Sequence, residues 1–208
     1  FERRMNQFAD DDLLLNTGVS FPIAFQHAFV RGLETIFRVA QGKRLSGSIA
    51  YAWMKGVGDL PITGGLFLGE EASLRDADGS FPLSQDQRHT VRGRVGYQLS
   101  ATAWIALSGA YGSGLPFEFE GEAAEAAEQF GNRILSRVDF ESGRLRPTAT
   151  LDASGGFVAA KAKRRALSVQ ADVRNLTNRL NVVNFAGLFS GTALGTPRSV
   201  AVRLRAEF

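Results

Sequence analysis

The sequence predicts an all-β protein, an antiparallel up-and-down transmembrane β-barrel, on three observations. Segments of strict two-residue alternation dominate the chain. Such a period marks strands with two unlike faces. Short and long connections alternate between those segments. No run approaches the roughly 18 consecutive apolar residues that a membrane-spanning helix needs. A barrel hides its apolar residues in alternation, so 44% hydrophobic residues and a mean hydropathy of -0.07 are compatible with one.

About seven strands are expected, with an eighth possible at residues 19–25, where Val19, Phe21, Ile23 and Phe25 alternate. Residues 33–40 place Leu33, Thr35, Phe37 and Val39 on one side. Next come Leu45, Gly47, Ile49, Tyr51 and Trp53, opposed by Ser46, Ser48, Ala50 and Ala52. Val91, Gly93, Val95, Tyr97 and Leu99 oppose Arg92, Arg94, Gly96 and Gln98. Residues 102–112 set Ala103, Ile105, Leu107, Gly109 and Tyr111 on one face. Residues 147–160 alternate more weakly, through Ala149, Leu151, Ala153 and Phe157. The last two segments are clean: Leu167, Val169, Ala171 and Val173 against Ser168, Gln170, Asp172 and Arg174, then Val200, Val202, Leu204, Ala206 and Phe208 against Ala201, Arg203, Arg205 and Glu207.

Tight turns are expected at residues 41–43, 100–101 and 161–163, and long polar connections at 58–85, 113–146 and 176–197. Loops that long count against a compact soluble domain. Short periplasmic turns alternating with long extracellular loops are what an outer-membrane barrel has. Within the second connection, residues 122–138 carry Ala126 or Ala127, Phe130, Ile134 and Val138 at helical spacing, so a loop helix is expected on the barrel rim.

Periodicity cannot say which face is inside; the loop pattern does. An Arg facing lipid at the bilayer midplane costs roughly 2–4 kcal/mol, and one in a wet lumen costs little. Arg92, Arg94, Asp172, Arg174, Arg203 and Arg205 are therefore expected to face the lumen, with Val, Leu and Ile outward. Trp53 and Tyr111 close their strands on the long-loop side, and Tyr97 and Phe208 lie near the short-turn side. Two aromatic girdles at the membrane interfaces would have this arrangement.

Composition excludes several classes. Zero cysteines leaves no disulfide framework or thiolate metal site, and a formal charge of +3 makes no case for nucleic acid. Ser84, Asp86 and His89 lie close together but in no order that resembles a triad, so no catalytic constellation is expected. Asp10, Asp11 and Asp12, with Glu70 and Glu71, lack the spacing of a calcium loop. In the second long connection Glu118, Glu120, Glu122, Glu125 and Glu128 precede Arg133, Arg137, Arg144 and Arg146. The basic half could meet outer-leaflet phosphates; pairing between the halves is the expectation.

Residues 172–178, Asp-Val-Arg-Asn-Leu-Thr-Asn, resemble the asparagine-leucine signature ending the penultimate strand of TonB-dependent receptors. A variable loop, Pro197-Arg198 and a last strand ending on Phe208 follow in the same order. Residues 86–90 (Asp-Gln-Arg-His-Thr) and 144–154 are similar to the Oar-like branch with a carboxypeptidase-regulatory-like domain. The resemblance runs from about Arg31 to Phe208. It implies that residues 1–208 are the C-terminal part of such a barrel, with the plug and early strands outside this chain. The physics agrees: seven strands leave two open edges, costly in lipid, and plugged transporters close with 22. The resemblance further implies a non-enzymatic part of a nutrient transporter in the cell outer membrane. Its partners would be outer-membrane lipid, the barrel-assembly machinery reading Phe208, TonB through the plug, and a small-molecule ligand, with no cofactor. A complete eight-stranded pore or adhesin, or a soluble β-sandwich binding module, are the alternatives.

Overall fold

The alternating segments form one antiparallel sheet in the computed structural model, which describes residues 1–10, 23–39, 42, 44–65, 79–117, 123–162, 165–187 and 191–207. The strands are β1 (Glu2–Asp10), β2 (Ile23–Val39), β3 (Leu45–Gly65), β4 (Ser80–Pro82), β5 (His89–Gln98), β6 (Ala103–Gly112), β7 (Val138–Asp139), β8 (Arg144–Leu145), β9 (Thr148–Ala162), β10 (Arg165–Arg174), β11 (Val182–Gly187), β12 (Gly191–Leu194) and β13 (Ser199–Glu207). Two helices, α1 (Ala123–Phe130) and α2 (Asn132–Leu135), lie between β6 and β7. The sheet runs β1-β2-β3-β5-β6-β9-β10-β13, with β4 added beside β3. β1 and β13 end the order and are not paired with each other among the described residues.

The register keeps like residues on like faces. Tyr97 lies opposite Leu45 and Ile105, Val95 opposite Gly47 and Leu107, and Val91 opposite Tyr51 and Tyr111. Leu107 meets Ala153, which meets Val173, which meets Val200. One apolar face thus runs unbroken from β2 to β13. Directly opposed residues always share a face, and a slip by one would exchange the faces entirely.

That apolar face is the more exposed one in mid-sheet. In the edge strand β13 both faces are exposed, with Val200, Val202 and Leu204 at 68%, 67% and 70%. In mid-sheet Ile105, Leu107, Leu151 and Phe157 are exposed, whereas Ala106, Ser108, Asp152 and Ser154 on the other face are half-buried. Seven strands at about 4.8 Å spacing span roughly 30 Å, and ten residues at about 3.3 Å run roughly 33 Å. The face thus covers on the order of 1,000 Å², beyond the few hundred Å² of contiguous apolar surface usual on a soluble monomer.

Two strand expectations change. An eighth strand in the sheet order is Glu2–Asp10; of the expected residues 19–25, Ile23 to Phe25 open β2, and residues 19–22 lie outside the described residues. Asn, Asp and Glu are poor strand formers, and Gln7 leaves the ladder with φ 53°, so the segment does not read as a strand. β2 and β3 also run further than expected. β3 pairs with β5 only over Leu45 to Trp53, and the continuation to Gly65 pairs with β2 and β4. This part of the first long connection is therefore strand, and Trp53 sits inside β3 instead of closing it. Pro61 and the glycines at 56, 58, 64 and 65 hide that continuation from a period-two reading.

The conventional core lies in the connections. Ala126, Val138, Leu145, Val182 and Phe185 are buried together, with Phe117, Phe130, Ile134, Leu135 and Phe140 packed around them. The expected loop helix is present but broken at Gly131, whose φ of 79° suits glycine. Its apolar positions 126, 130, 134 and 138 all join this cluster. No described helix is long and apolar enough to cross a membrane.

Candidate functional site

Two regions carry polar groups in built arrangements, the polar face of the sheet, where the five arginines are exposed and Asp172 is half-buried, and the cap formed by the long connections. On the polar face Arg92 lies opposite Ala50 and Ala110, and Arg94 opposite Ser48 and Ser108. Asp172 lies between Ser154 and Ala201, Arg203 opposite Gln170, Arg205 opposite Ser168, and Arg174 opposite Ser199. All six residues share one face. β6 and β9 separate Arg92 and Arg94 from the group on β10 and β13, so two charged stripes result instead of one cluster. Gln170 donates from Nε2 to both Asp172 carboxylate oxygens, at 2.9 and 3.0 Å. Arg205 pairs with Glu207 at 3.0 Å along the same strand, both well exposed.

Trp104 stands between the stripes. It faces Gln98 on β5 and Gly156 on β9, and a Cβ at Gly156 would fall about 3 Å from the indole ring. Glycine therefore lets the ring lie flat on the strand. Recesses flank it, one lined by Arg44, Ser46 and Arg94, the other by Ser168, Gln170, Arg203 and Arg205, the latter about 260 Å³ in volume. Sequence reasoning passed over Trp104, although its parity in β6 already placed it among the polar residues.

On the apolar face, Trp53 lies opposite His89, and Tyr111 lies one like-facing position along, opposite Val91. Both are at the long-connection end. Tyr97 is at the other end, beside Leu45, and Phe208 lies outside the described residues. The Tyr51 hydroxyl is 3.0 Å from His89 Nδ1, and the two rings stack at 6.1 Å.

The cap is held by groups the sequence did not single out in these roles. Asp86 is fully buried and accepts hydrogen bonds from the Gly56 amide at 2.9 Å, from Arg88 Nε at 2.8 Å and from Arg144 Nη2. Its own carbonyl accepts from Arg144 Nη1 at 2.7 Å. The carboxylate is thus satisfied by two guanidiniums and one amide, and it orients no imidazole. Arg144 was expected to pair with glutamates of its own connection and instead ties the second connection to the first. Among the described residues Arg133, Arg137 and Arg146 make no ion pair; Glu118, Glu120 and Glu122 lie outside them.

Three asparagines shape the third connection. Asn175 follows β10 with φ 47°, a left-handed conformation that asparagine tolerates better than most residues. Its Nδ2 donates to the carbonyls of Arg179 (2.9 Å) and Thr196 (3.0 Å), and its amide donates to Asp152 Oδ1 at 2.8 Å. Asn181 accepts from the Ala149 amide at 2.9 Å and donates to the Ala149 carbonyl at 3.0 Å, replacing the strand neighbour that β10 no longer supplies. Asn178 accepts from the Arg198 amide at 3.0 Å. The asparagine-leucine segment thus has a physical role: it turns the chain out of the sheet and fastens the connection that follows.

Among the described residues no group of three or more His, Cys, Asp or Glu could hold a metal. Of the weighed acidic residues, Asp11, Asp12, Glu70 and Glu71 lie outside them. No protein-family model matches the chain, and comparison with curated proteins and with solved structures found no match.

Proposed function

We propose that the sheet is part of the wall of an outer-membrane β-barrel, the C-terminal segment of a TonB-dependent receptor that takes up a scarce nutrient. The observation that carries this reading is the exposure in the middle of the sheet: Ile105, Leu107, Leu151 and Phe157 stand exposed while Ser108, Ser154, Gln170 and Asp172 on the other face are half-buried. Water would penalise that arrangement, and lipid on one side with a wet lumen on the other favours it. Four strands have the length for it: β5, β6 and β10 have 10 residues each and β13 has 9, within the 9–11 that a tilted spanning strand needs. β2, β3 and β9 run beyond it with 17, 21 and 15. The three long connections leave one end of the sheet, as extracellular loops would. On this reading Arg92, Arg94, Asp172, Arg174, Arg203 and Arg205 solvate the lumen wall, and Trp53, Tyr97 and Tyr111 sit at the interfaces. Phe208 would be the barrel-assembly signal.

The absence of cysteine makes the orientation directly testable. Single cysteines at Ser108 and Gln170 are expected to react with a water-soluble maleimide in reconstituted membranes, and those at Leu107 and Val169 to be protected. Equal labelling of both sets would sink the barrel. The transporter reading has its own test in the DNA upstream of the Phe1 codon. An open frame encoding further strands and a plug is expected; a start codon and signal peptide immediately upstream would replace it with a small complete barrel.

A further inference from the structure

We infer that Arg137, Arg146 and Arg179 form a binding site for a phosphate-type oxyanion where the chain leaves the cap to enter β9. Arg137 and Arg179 each donate from Nη2 to the same carbonyl oxygen, that of Pro147. Two guanidiniums sharing one acceptor are held within about two hydrogen-bond lengths of each other. The Arg146 amide donates to the Arg137 carbonyl at 2.8 Å, and the Arg146 charge is close enough to act on the Arg137 guanidinium. None of the three makes an ion pair among the described residues. The nearby carboxylate, Asp139, feels Arg146 but turns to Ser142, whose amide reaches it at 3.4 Å.

The cluster is under-compensated in two ways. Among the described residues Arg137 Nε is buried without a hydrogen-bond partner, and a buried donor left unpaired is costly. The Arg137 guanidinium is also easier to deprotonate than usual, first because it is buried and then because Arg179 and Arg146 repel its charge. An added anion would relieve that repulsion. Guanidinium forks match phosphate oxygens in geometry and charge. A tetrahedral dianion offers enough oxygens for three forks, where a carboxylate offers two. The group could belong to a soluble phosphate or to a phosphorylated lipid headgroup, and the chemistry of recognition is the same. The inference does not depend on the uptake reading.

The test uses the full chain folded in detergent, titrated with inorganic phosphate against chloride at equal ionic strength. Saturable phosphate binding is expected, weakened at least tenfold in the exposed double variant R146Q/R179Q and less in R179K, which keeps the charge but loses the fork. R137Q, with folding checked by circular dichroism, gives a second reading from the partly buried member. A parallel arm uses phosphatidylcholine vesicles with and without diphosphorylated lipid A. Vesicle binding displaced by phosphate would assign the site to a headgroup, and phosphate binding without vesicle binding to a soluble ligand. Phosphate behaving like chloride, or R146Q/R179Q binding as tightly as the parent, would overturn the site. Either result leaves the cysteine-labelling pattern of the sheet untouched, so the two ideas fail separately.

Discussion

The sheet and its cap obey opposite rules of burial. In the cap, Phe185 is 1% exposed and meets the Phe117, Phe130 and Phe140 rings at centroid distances of 5.3, 4.9 and 6.1 Å. Polar groups there are at the surface or hydrogen-bonded, as Asp86 and Asn175 are, with Arg137 Nε the exception among the described residues. Among the described residues the buried apolar side chains belong to the connections, with Ala28 in β2 the exception. In the sheet most of the larger apolar residues stand on the apolar face, with Trp104 and Ile36 among those on the other, and its order comes from backbone ladders and register. One chain therefore carries a buried apolar core in its connections and an exposed apolar face on its sheet. Burial alone would mistake the connections for the domain and the sheet for an appendage.

The largest effect that should separate the regions is Phe185→Ala. Emptying that site costs about 4 kcal/mol by analogy with other buried phenylalanines. Residues 123–145 should lose protection from amide exchange while β5, β6 and β10 keep theirs; loss spread evenly over both would show a single cooperative unit. Asp86→Asn comes next, at about 3 kcal/mol, because Arg88 and Arg144 would lose their shared counter-charge. Limited proteolysis should then open the first and second connections together, and unchanged cleavage would refute the latch.

Within the sheet, Leu107→Arg should destabilise the lipid-inserted form by about 2–3 kcal/mol, and Ser108→Arg by well under 1 kcal/mol. Equal costs in a denaturant titration from vesicles would erase the proposed two-sidedness. The smallest effect concerns acid. The Asp139 carboxyl is held below its ordinary value, chiefly by its hydrogen bond with Ser142. A lowered carboxyl stabilises the fold above its unfolded value and loses that contribution as pH falls through the folded one. Ser142→Ala should raise the Asp139 titration midpoint seen by NMR, and an unmoved midpoint would remove Ser142 as the cause.

The aromatic and aliphatic alternation in residues 45–53, 91–99, 167–174 and 199–207 made the central strands legible, because period two survives wherever two faces meet different surroundings. The loop helix was readable for the same reason at a different period, through Ala126, Phe130, Ile134 and Val138. The polar segment Glu2–Asp10 and the glycine- and proline-bearing end of β3 were not readable, since there the ladder is made by backbone groups that every residue carries. Of the candidate site, alternation placed six charged residues on one face. It could not say that Asp172 takes Gln170 as a partner while Arg205 takes Glu207.

What the sequence determined by itself was the strand pattern, its two unlike faces and the alternation of short and long connections, because these depend on residue types at fixed local spacing. What only the tertiary structure decided was which connections share a core and which charges meet. Asp86 and Arg144 stand 58 positions apart, and Arg137 and Arg179 meet only at Pro147. Contacts of that kind are set by how distant segments return to one end of a sheet, and no local period encodes that distance.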